Sequence, residues 1–372
     1  MAITKLNVQG VSDAIATDLN NVDTALALAG RRNLVINGAM QVAQRGTSST
    51  GISDSFGYTT VDRMRTQLYI GTWTSEQSTD APDGFANSFK LTCTTGEASP
   101  GAGDVNIINY RLEAQDLQQL AYGTSGAQTM ALSFWVKSNK IGTASLGLTQ
   151  EDNSSKLYTS NYSISSADTW EYKTVTITGD TAGVINNDTG IGLIINWWLN
   201  SGSTYTGGSA TDSWETYNGN QNSDNLSVGG ATSDYFAITG VQLEVGDTAT
   251  DFEHRSYGEE LALCQRYYWT EDMSDTYHAL AAGYFASSSV FIGFIPMPTA
   301  LRSAPTLSYS GSWQAAATSS TSVSSMYLTD NSGANLNLIQ FRANTSGNIA
   351  NAGGMLRNAN DSTAKFALDA EL

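Results

Sequence analysis

Between Leu199 and Ser233, 23 of 35 residues are serine, threonine, asparagine or glycine, and none is lysine or arginine. Inside this stretch Trp214 and Tyr217 sit among Asp212, Glu215, Asn218 and Asn220, and Trp197-Trp198 precede it. Aromatic faces stack on the apolar faces of sugar rings while amides and carboxylates take the hydroxyl hydrogen bonds, so the mixture suits a saccharide. A connection this long without structure of its own is usually functional or mobile. The same rings also suit a plainer purpose: Trp197 in a core, Trp198 under the loop, and Trp214 and Tyr217 pinning the loop or meeting a neighbouring subunit. A second aromatic group, Tyr277, His278, Tyr284, Trp313 and Tyr327, would stand on loops of a distal domain, although a small β-domain needs such residues for its core. The candidate contacts are therefore Trp198, Trp214, Tyr217 and Asn218, followed by Tyr284 and Trp313.

Catalytic chemistry finds less to work with. His254 and His278 are the only histidines, so no His-Glu-x-x-His pair exists, and no Gly-x-Ser-x-Gly elbow occurs. Adjacent acids such as Glu151-Asp152 and Glu259-Glu260 could serve a glycosidase but read as solvated loop residues. Asp104, Asp152 and Asp180 could contribute to a calcium site, yet no segment has EF-hand spacing. Cys93 and Cys264, 171 positions apart, read as buried small apolar residues rather than a disulfide. The expectation is a non-enzymatic chain without cofactor or metal.

A formal charge of −17 disfavours a sequence-independent grip on nucleic acid or on an anionic membrane. No run of about 18 apolar residues is present, and Met1-Ala-Ile-Thr-Lys5 is not followed by the apolar core of a signal peptide. Only 14 % of residues are charged, a surface chemistry familiar from extracellular β-proteins. A virion protein, assembled in the cytoplasm and released on lysis, reconciles an extracellular surface with the lack of an export signal; a bacterial adhesin or carbohydrate-binding protein is an alternative.

Three kinds of element must position these residues. Ile15, Leu19, Val22 and Leu26 recur at heptad spacing, with Ser12 or Asp13 to cap a helix and Gly30 to stop it. The pattern predicts either a parallel homotrimeric coiled coil or an amphipathic helix lying on its own domain. From residue 31 to about 256 the pattern is β, with strands expected at 89–94, 130–137, 171–178, 190–197 and 235–244, which suggests a jelly-roll sandwich. One short helix is expected over 111–120, with Leu112, Leu117 and Leu120 facing the core. A helical linker at 257–268 then leads to a smaller C-terminal β-sandwich, 269–372, with strands near 289–295, 306–310, 326–329 and 336–342. The fold class is thus mainly β with a short N-terminal helix.

Several separated segments resemble the tail-fibre proteins of tailed bacteriophages. They are Asn33-Leu-Val-Ile-Asn-Gly-Ala-Met-Gln-Val-Ala-Gln-Arg-Gly46, Tyr58-Thr-Thr-Val-Asp-Arg63, Arg111 to Leu120, Ser133 to Lys137 and Phe236 to Tyr268. Phe294-Ile-Pro-Met-Pro298, Arg302-Ser-Ala-Pro-Thr306 and the terminal Ala370-Glu-Leu372 continue the series. The resemblance implies a homotrimeric virion appendage: a short tail fibre whose residues 1–30 dock to a tail adaptor or nozzle, or to a capsid protein. It further implies a carbohydrate-binding-like jelly roll and a distal domain that meets a host-surface glycan or protein. His254 and Asp62-Arg63 would be structural in such a chain, the latter a salt bridge under the first strands. The alternatives are a capsid decoration or head fibre and a polysaccharide-degrading tail spike.

Overall fold

The computed structural model describes residues 32–152, 156–216, 221–271, 273–329, 336–347 and 350–372. The heptad positions Ile15, Leu19, Val22 and Leu26, and the loop residues Tyr217 and Asn218, lie outside them.

The first unit is a two-sheet jelly roll. Its strands are β1 (Ser48–Ile52), β2 (Ser55–Tyr58), β3 (Arg65–Leu68), β4 (Thr72–Ser78), β5 (Ser88–Thr95), β6 (Val105–Glu113), β7 (Met130–Ser138), β8 (Gly142–Gln150), β9 (Lys156–Ile164), β10 (Glu171–Ile177), β11 (Ile191–Ser201), β12 (Trp214–Thr216) and β13 (Tyr235–Val245). One sheet has the order β1-β4-β5-β13-β7-β10 and the other β12-β9-β8-β11-β6-β3-β2. Period-two alternation decides which side chains meet between them. On β6 Ile108, Tyr110 and Leu112 point inward, and on β11 Leu193, Ile195, Trp197 and Leu199 do, all in one core. On β13 the inward set changes parity, Phe236 and Ile238 giving way to Val241 and Leu243. A bulge between Thr239 and Gln242, with Gly240 at φ +60°, absorbs the extra residue. The expected 111–120 helix divides in two: residues 111–113 finish β6, and a 3-10 helix, Ala114–Leu120, follows. Leu112, Leu117 and Leu120 all reach the core.

The opening segment is held to this sandwich by two buried asparagines. Asn33 donates to Val241 O and accepts from the N–H groups of Val35 and Leu243. Asn37, at φ 61°, accepts from Val42 N and donates to the carbonyls of Val42 and Asp62. Left-handed backbone suits asparagine among non-glycine residues. These contacts explain why the Asn33–Gly46 motif encodes fold.

Helix α1, Tyr257–Gln265, is capped by the Ser256 side chain accepting from Glu259 N. It leads to a second unit, built from β14 (Tyr268–Thr270), β15 (Ala279–Ser287), β16 (Val290–Pro296), β17 (Thr306–Ser310), β18 (Trp313–Ala316), β19 (Ser320–Ser322), β20 (Ser325–Leu328), β21 (Leu338–Asn344), β22 (Gly353–Asn358) and β23 (Lys365–Asp369). A three-stranded sheet, β14-β23-β17, faces a seven-stranded one, β19-β18-β22-β15-β16-β21-β20. Phe285, Phe291, Phe341, Leu356, Phe366 and Leu368 fill the space between.

The two units meet through polar and apolar contacts. Cys264 and Tyr267 pack on Ile36 and Val42, and both cysteines are free and buried. Asp62 and Arg63 do not pair with each other as the sequence suggests. Asp62 accepts from Gln44 N and lies 3.7 Å from Arg45, whereas the buried Arg63 pairs with Glu371. Arg45 also reaches Asp369 at 3.2 Å and Glu371 at 3.5 Å. Glu260 is likewise not a solvated acid: it is buried, accepts from Asn37 N and pairs with Arg255 at 3.4 Å. Being left-handed at φ 69°, Arg63 turns back toward the junction from a position that seldom accepts a side-chain-bearing residue.

Burial raises the Asp62 carboxyl to about 6, against the opposing pull of Arg45 and the Gln44 amide groups. The folded chain therefore binds this proton more tightly than the unfolded chain, and Asp62 contributes stability that grows as pH falls from about 6 to 4. Relative to Asp62→Asn, the unfolding free energy of the wild type should rise by up to about 3 kcal/mol across that window. Urea unfolding of both chains at neutral and acid pH checks this, and a constant difference contradicts it.

Candidate functional site

The outward face of the seven-stranded jelly-roll sheet carries the best-formed site. On β6 and β11 the residues between the core positions face this way, and strand register sets them in rows. One row runs Phe56, Gln67, Ile107, Trp198 and the next Arg65, Asn109, Asn196, Gly147; a third contains Arg111, Ile194 and Thr149. Gly147 apart, they line a cleft of 290 Å³ together with Val105, Glu151, Tyr205 and Gln221.

Trp198 forms one end of its floor. It is 2 % exposed, packs on Val105 and Ile107, and lies beneath Tyr205 with ring centroids 5.6 Å apart. Gly147 makes room for it, since a Cβ there would stand 3.3 Å from Trp198 Nε1. Trp198 is thus a strand residue covered by the loop, the plainer of the two readings that the sequence allows, and it lines the cleft. Tyr205 is held in place by Asn222, whose N–H donates to Tyr205 O at 2.9 Å and whose side chain donates to Ser201 Oγ at 2.8 Å. The Leu199–Ser233 connection is thus partly built structure. Its β12 pairs with β9, and Asp224 accepts from Asn161 Nδ2 at 2.6 Å.

Several polar atoms on this face are buried without a hydrogen-bond partner among the described residues: Trp198 Nε1, Asn109 Oδ1, Arg65 Nη1 and Arg111 Nε. Buried polar atoms are nearly always paired with protein or water, so such a group along one open cleft points to a ligand or ordered water. Arg65 is 3 % exposed, and its guanidinium lies 3.2 Å from the centroid of the Phe56 ring. Burial, with the neighbouring Arg111 in second place, pulls its pKa down to about 10. Phe56 itself is 56 % exposed on the edge strand β2. Chemically the cleft offers apolar ring faces, amide donors and acceptors, and fixed guanidinium donors.

The other sequence candidates lie elsewhere. Trp214 points to the opposite side of the same sheet: it packs beside Tyr158 and Tyr122 and donates from Nε1 to Thr178 O at 2.6 Å. It fastens the loop to the core and does not join Trp198. Trp313 is 3 % exposed, packs on Phe366 and donates to Ser310 O, so it belongs to the second core rather than to an exposed loop. Tyr284 is exposed, but on β15 of the second unit. The cleft residues Phe56, Arg65, Gln67, Asn109, Arg111, Asn196 and Tyr205 were not singled out by sequence. Their signal is the polar outward half of otherwise apolar strands, Asn109 and Arg111 on β6 and Asn196 on β11.

Two further hollows are less suited to a ligand. One of 770 Å³ at the junction is lined by Gln44, Arg45 and Tyr268, but Gln44 and Arg45 are engaged with Asp62, the Tyr268 carbonyl and Asp369. Another of 460 Å³, on the outer face of the six-stranded sheet, contains Phe85, Phe252 and His254. These three rings pack on one another at 4.9–5.4 Å, which accords with a packing role for His254. Asp104 and Asp180 each hold a local turn while Asp152 accepts from the distant Asn186, and no group of three or more His, Cys, Asp or Glu residues converges on a metal position among the described residues.

No family model matches the chain, and no curated protein sequence matches it. Solved structures similar to it include a bacteriophage CBA120 tailspike protein 4 enzymatically active domain, 11 % identical with a TM-score of 0.29 over 57 % of this chain and 21 % of that one. The chain thus matches about one fifth of the tailspike chain's length. Others are a CBM4 structure, 10 % identical with a TM-score of 0.29 over 56 % of this chain and 98 % of that one, and the family 11 carbohydrate-binding module of a Clostridium thermocellum cellulase. The last is 9 % identical with a TM-score of 0.27 over 60 % of this chain and 97 % of that one.

Proposed function

We propose that this chain is a bacteriophage virion protein, a short tail fibre that recognises a host-surface saccharide through the outward cleft of its jelly roll. The observation that carries the reading is the group of buried, unpartnered polar atoms along a cleft that also presents aromatic rings. Sugars need both kinds of contact, stacking for the ring and directed donors and acceptors for the hydroxyls. The amide groups of Gln67, Asn109, Asn196 and Gln221 along the lining suit recognition of hydroxyl groups. Trimerisation through Ile15, Leu19, Val22 and Leu26 would place three clefts on one appendage, making weak single contacts effective through avidity.

The test is retention of host-surface polysaccharides by the purified chain. The wild type should bind at least one, and Phe56→Ala should weaken binding about tenfold, the worth of a lost ring contact. Because Phe56 is largely exposed, its thermal unfolding midpoint should not move. Release of new reducing ends from the bound polysaccharide would overturn the non-catalytic reading in favour of a degrading spike.

A further inference from the structure

The cleft holds a buried cation without an ion-pair partner among the described residues. Arg65 makes no ion pair and its Nη1 has no hydrogen-bond partner among the described residues, although the residue is almost wholly buried. Arg111 stands beside it in the neighbouring row, donating from Nη1 to Leu372 O at 2.8 Å while its Nε stays unpartnered. The acid that lines the same cleft, Glu151, is exposed at the far end of β8 and pairs with neither arginine. In a chain with 35 acidic and 18 basic residues, a buried arginine without an ion pair in an open cleft stands out. The other buried arginines show the usual arrangement: Arg63 has Glu371, Arg45 has Asp62 and Glu371, and Arg255 has Glu260. A buried charge is ordinarily paired, because its desolvation is otherwise uncompensated.

Resting on the saccharide reading above, we propose that the cleft is selective for an acidic saccharide and that Arg65 receives the sugar carboxylate. The planar guanidinium fork matches a carboxylate through two parallel hydrogen bonds, a geometry that a hydroxyl does not reproduce. Screening from bulk water by Phe56 strengthens the pairing. Asn109 and Asn196, next to Arg65 along the same row, are placed to take ring hydroxyls, and Arg111 adds a second positive charge on the adjacent row. The ligand class is therefore a polysaccharide bearing a uronate or another ring-attached carboxylate.

The experiment uses the full chain and an array of bacterial surface polysaccharides, some carboxylated and some neutral, with each carboxylated polysaccharide also printed after methyl esterification. Carboxylated polysaccharides should be bound and their esters, which keep the ring and lose the charge, should not. Arg65→Gln should weaken binding about ten- to a hundredfold, and Arg65→Lys should restore only part, since it returns the charge without the fork. Should either variant fail to fold, the ester comparison on the wild type still decides. Equal binding of esters and parent acids, or binding of neutral polysaccharides alone, overturns the acidic selectivity and leaves the saccharide reading standing. Equal retention of polyglutamate, a carboxylate polymer without sugar rings, also overturns it. Binding to no polysaccharide overturns the saccharide reading itself.

Discussion

Replacing Arg63 with alanine is expected to lower the unfolding free energy by about 3–5 kcal/mol, the usual cost of removing one partner of a buried ion pair. Arg63 is fully enclosed between the units. It pairs with Glu371, donates to Arg111 O at 2.6 Å, and stacks 3.6 Å from the Tyr267 ring centroid and 5.4 Å from that of Tyr110. Burial is the largest single influence and would lower the Arg63 pKa, but Glu371 together with Tyr110, Tyr267 and Tyr58 outweighs it and holds the guanidinium charged. Alanine removes the cation, leaves Glu371 to the more distant Arg45 at 3.5 Å, and opens a cavity between two aromatic rings. Removing both charges, as Arg63→Met with Glu371→Gln, should recover part of the loss, because paired buried charges exchange for neutral groups at lower cost than single ones. Urea unfolding followed by tryptophan fluorescence measures both; a loss under about 1 kcal/mol for the alanine variant would contradict this account of the junction.

The second large effect is expected at Gly38. A Cβ at this position would lie 2.1 Å from Val241 O and 3.4 Å from Asn33 Nδ2. Val241 O accepts from Asn33, and Val241 N donates to Gly38 O, so a methyl group strikes the bonds that seat the opening segment on β13. The carbonyl belongs to backbone in the centre of a sheet and has little freedom to retreat. Gly38→Ala should therefore destabilise the jelly roll by about 3 kcal/mol, at the upper end for overpacking. A midpoint of thermal unfolding within a degree or two of wild type would show that the segment relocates freely.

What the sequence discloses follows from how local each signal is. The strand alternations of β5, β7 and β10 and the apolar run of β11 sit in contiguous residues, so the mainly β class and most core positions are readable. The parity change in β13 is written in Phe236-Ala-Ile-Thr-Gly-Val-Gln-Leu, where the apolar spacing jumps across a glycine. The cleft is another matter. Phe56, Arg65, Asn109, Asn196 and Tyr205 come from five separate segments, and only strand register brings them together. Aromatic residues drew attention by type, yet type does not reveal which face of a strand a ring takes. Trp197 and Trp198 are adjacent and point to opposite sides of one sheet, and Trp214 shares its side with Trp197. The ion pairs of Arg63 and Arg45 span some three hundred residues of chain, which is why Asp62-Arg63 suggested a pair with each other.

Hydrogen exchange on the full chain, with and without a retained polysaccharide, tests the central claim most directly. Binding in the cleft predicts slowed exchange in β3, β6 and β11 and in the segment around Tyr205, with the outer face of the six-stranded sheet and the second unit unchanged. Protection confined to the Phe85–His254 hollow or to the strand bearing Tyr284, with the cleft strands unaffected, would contradict the account.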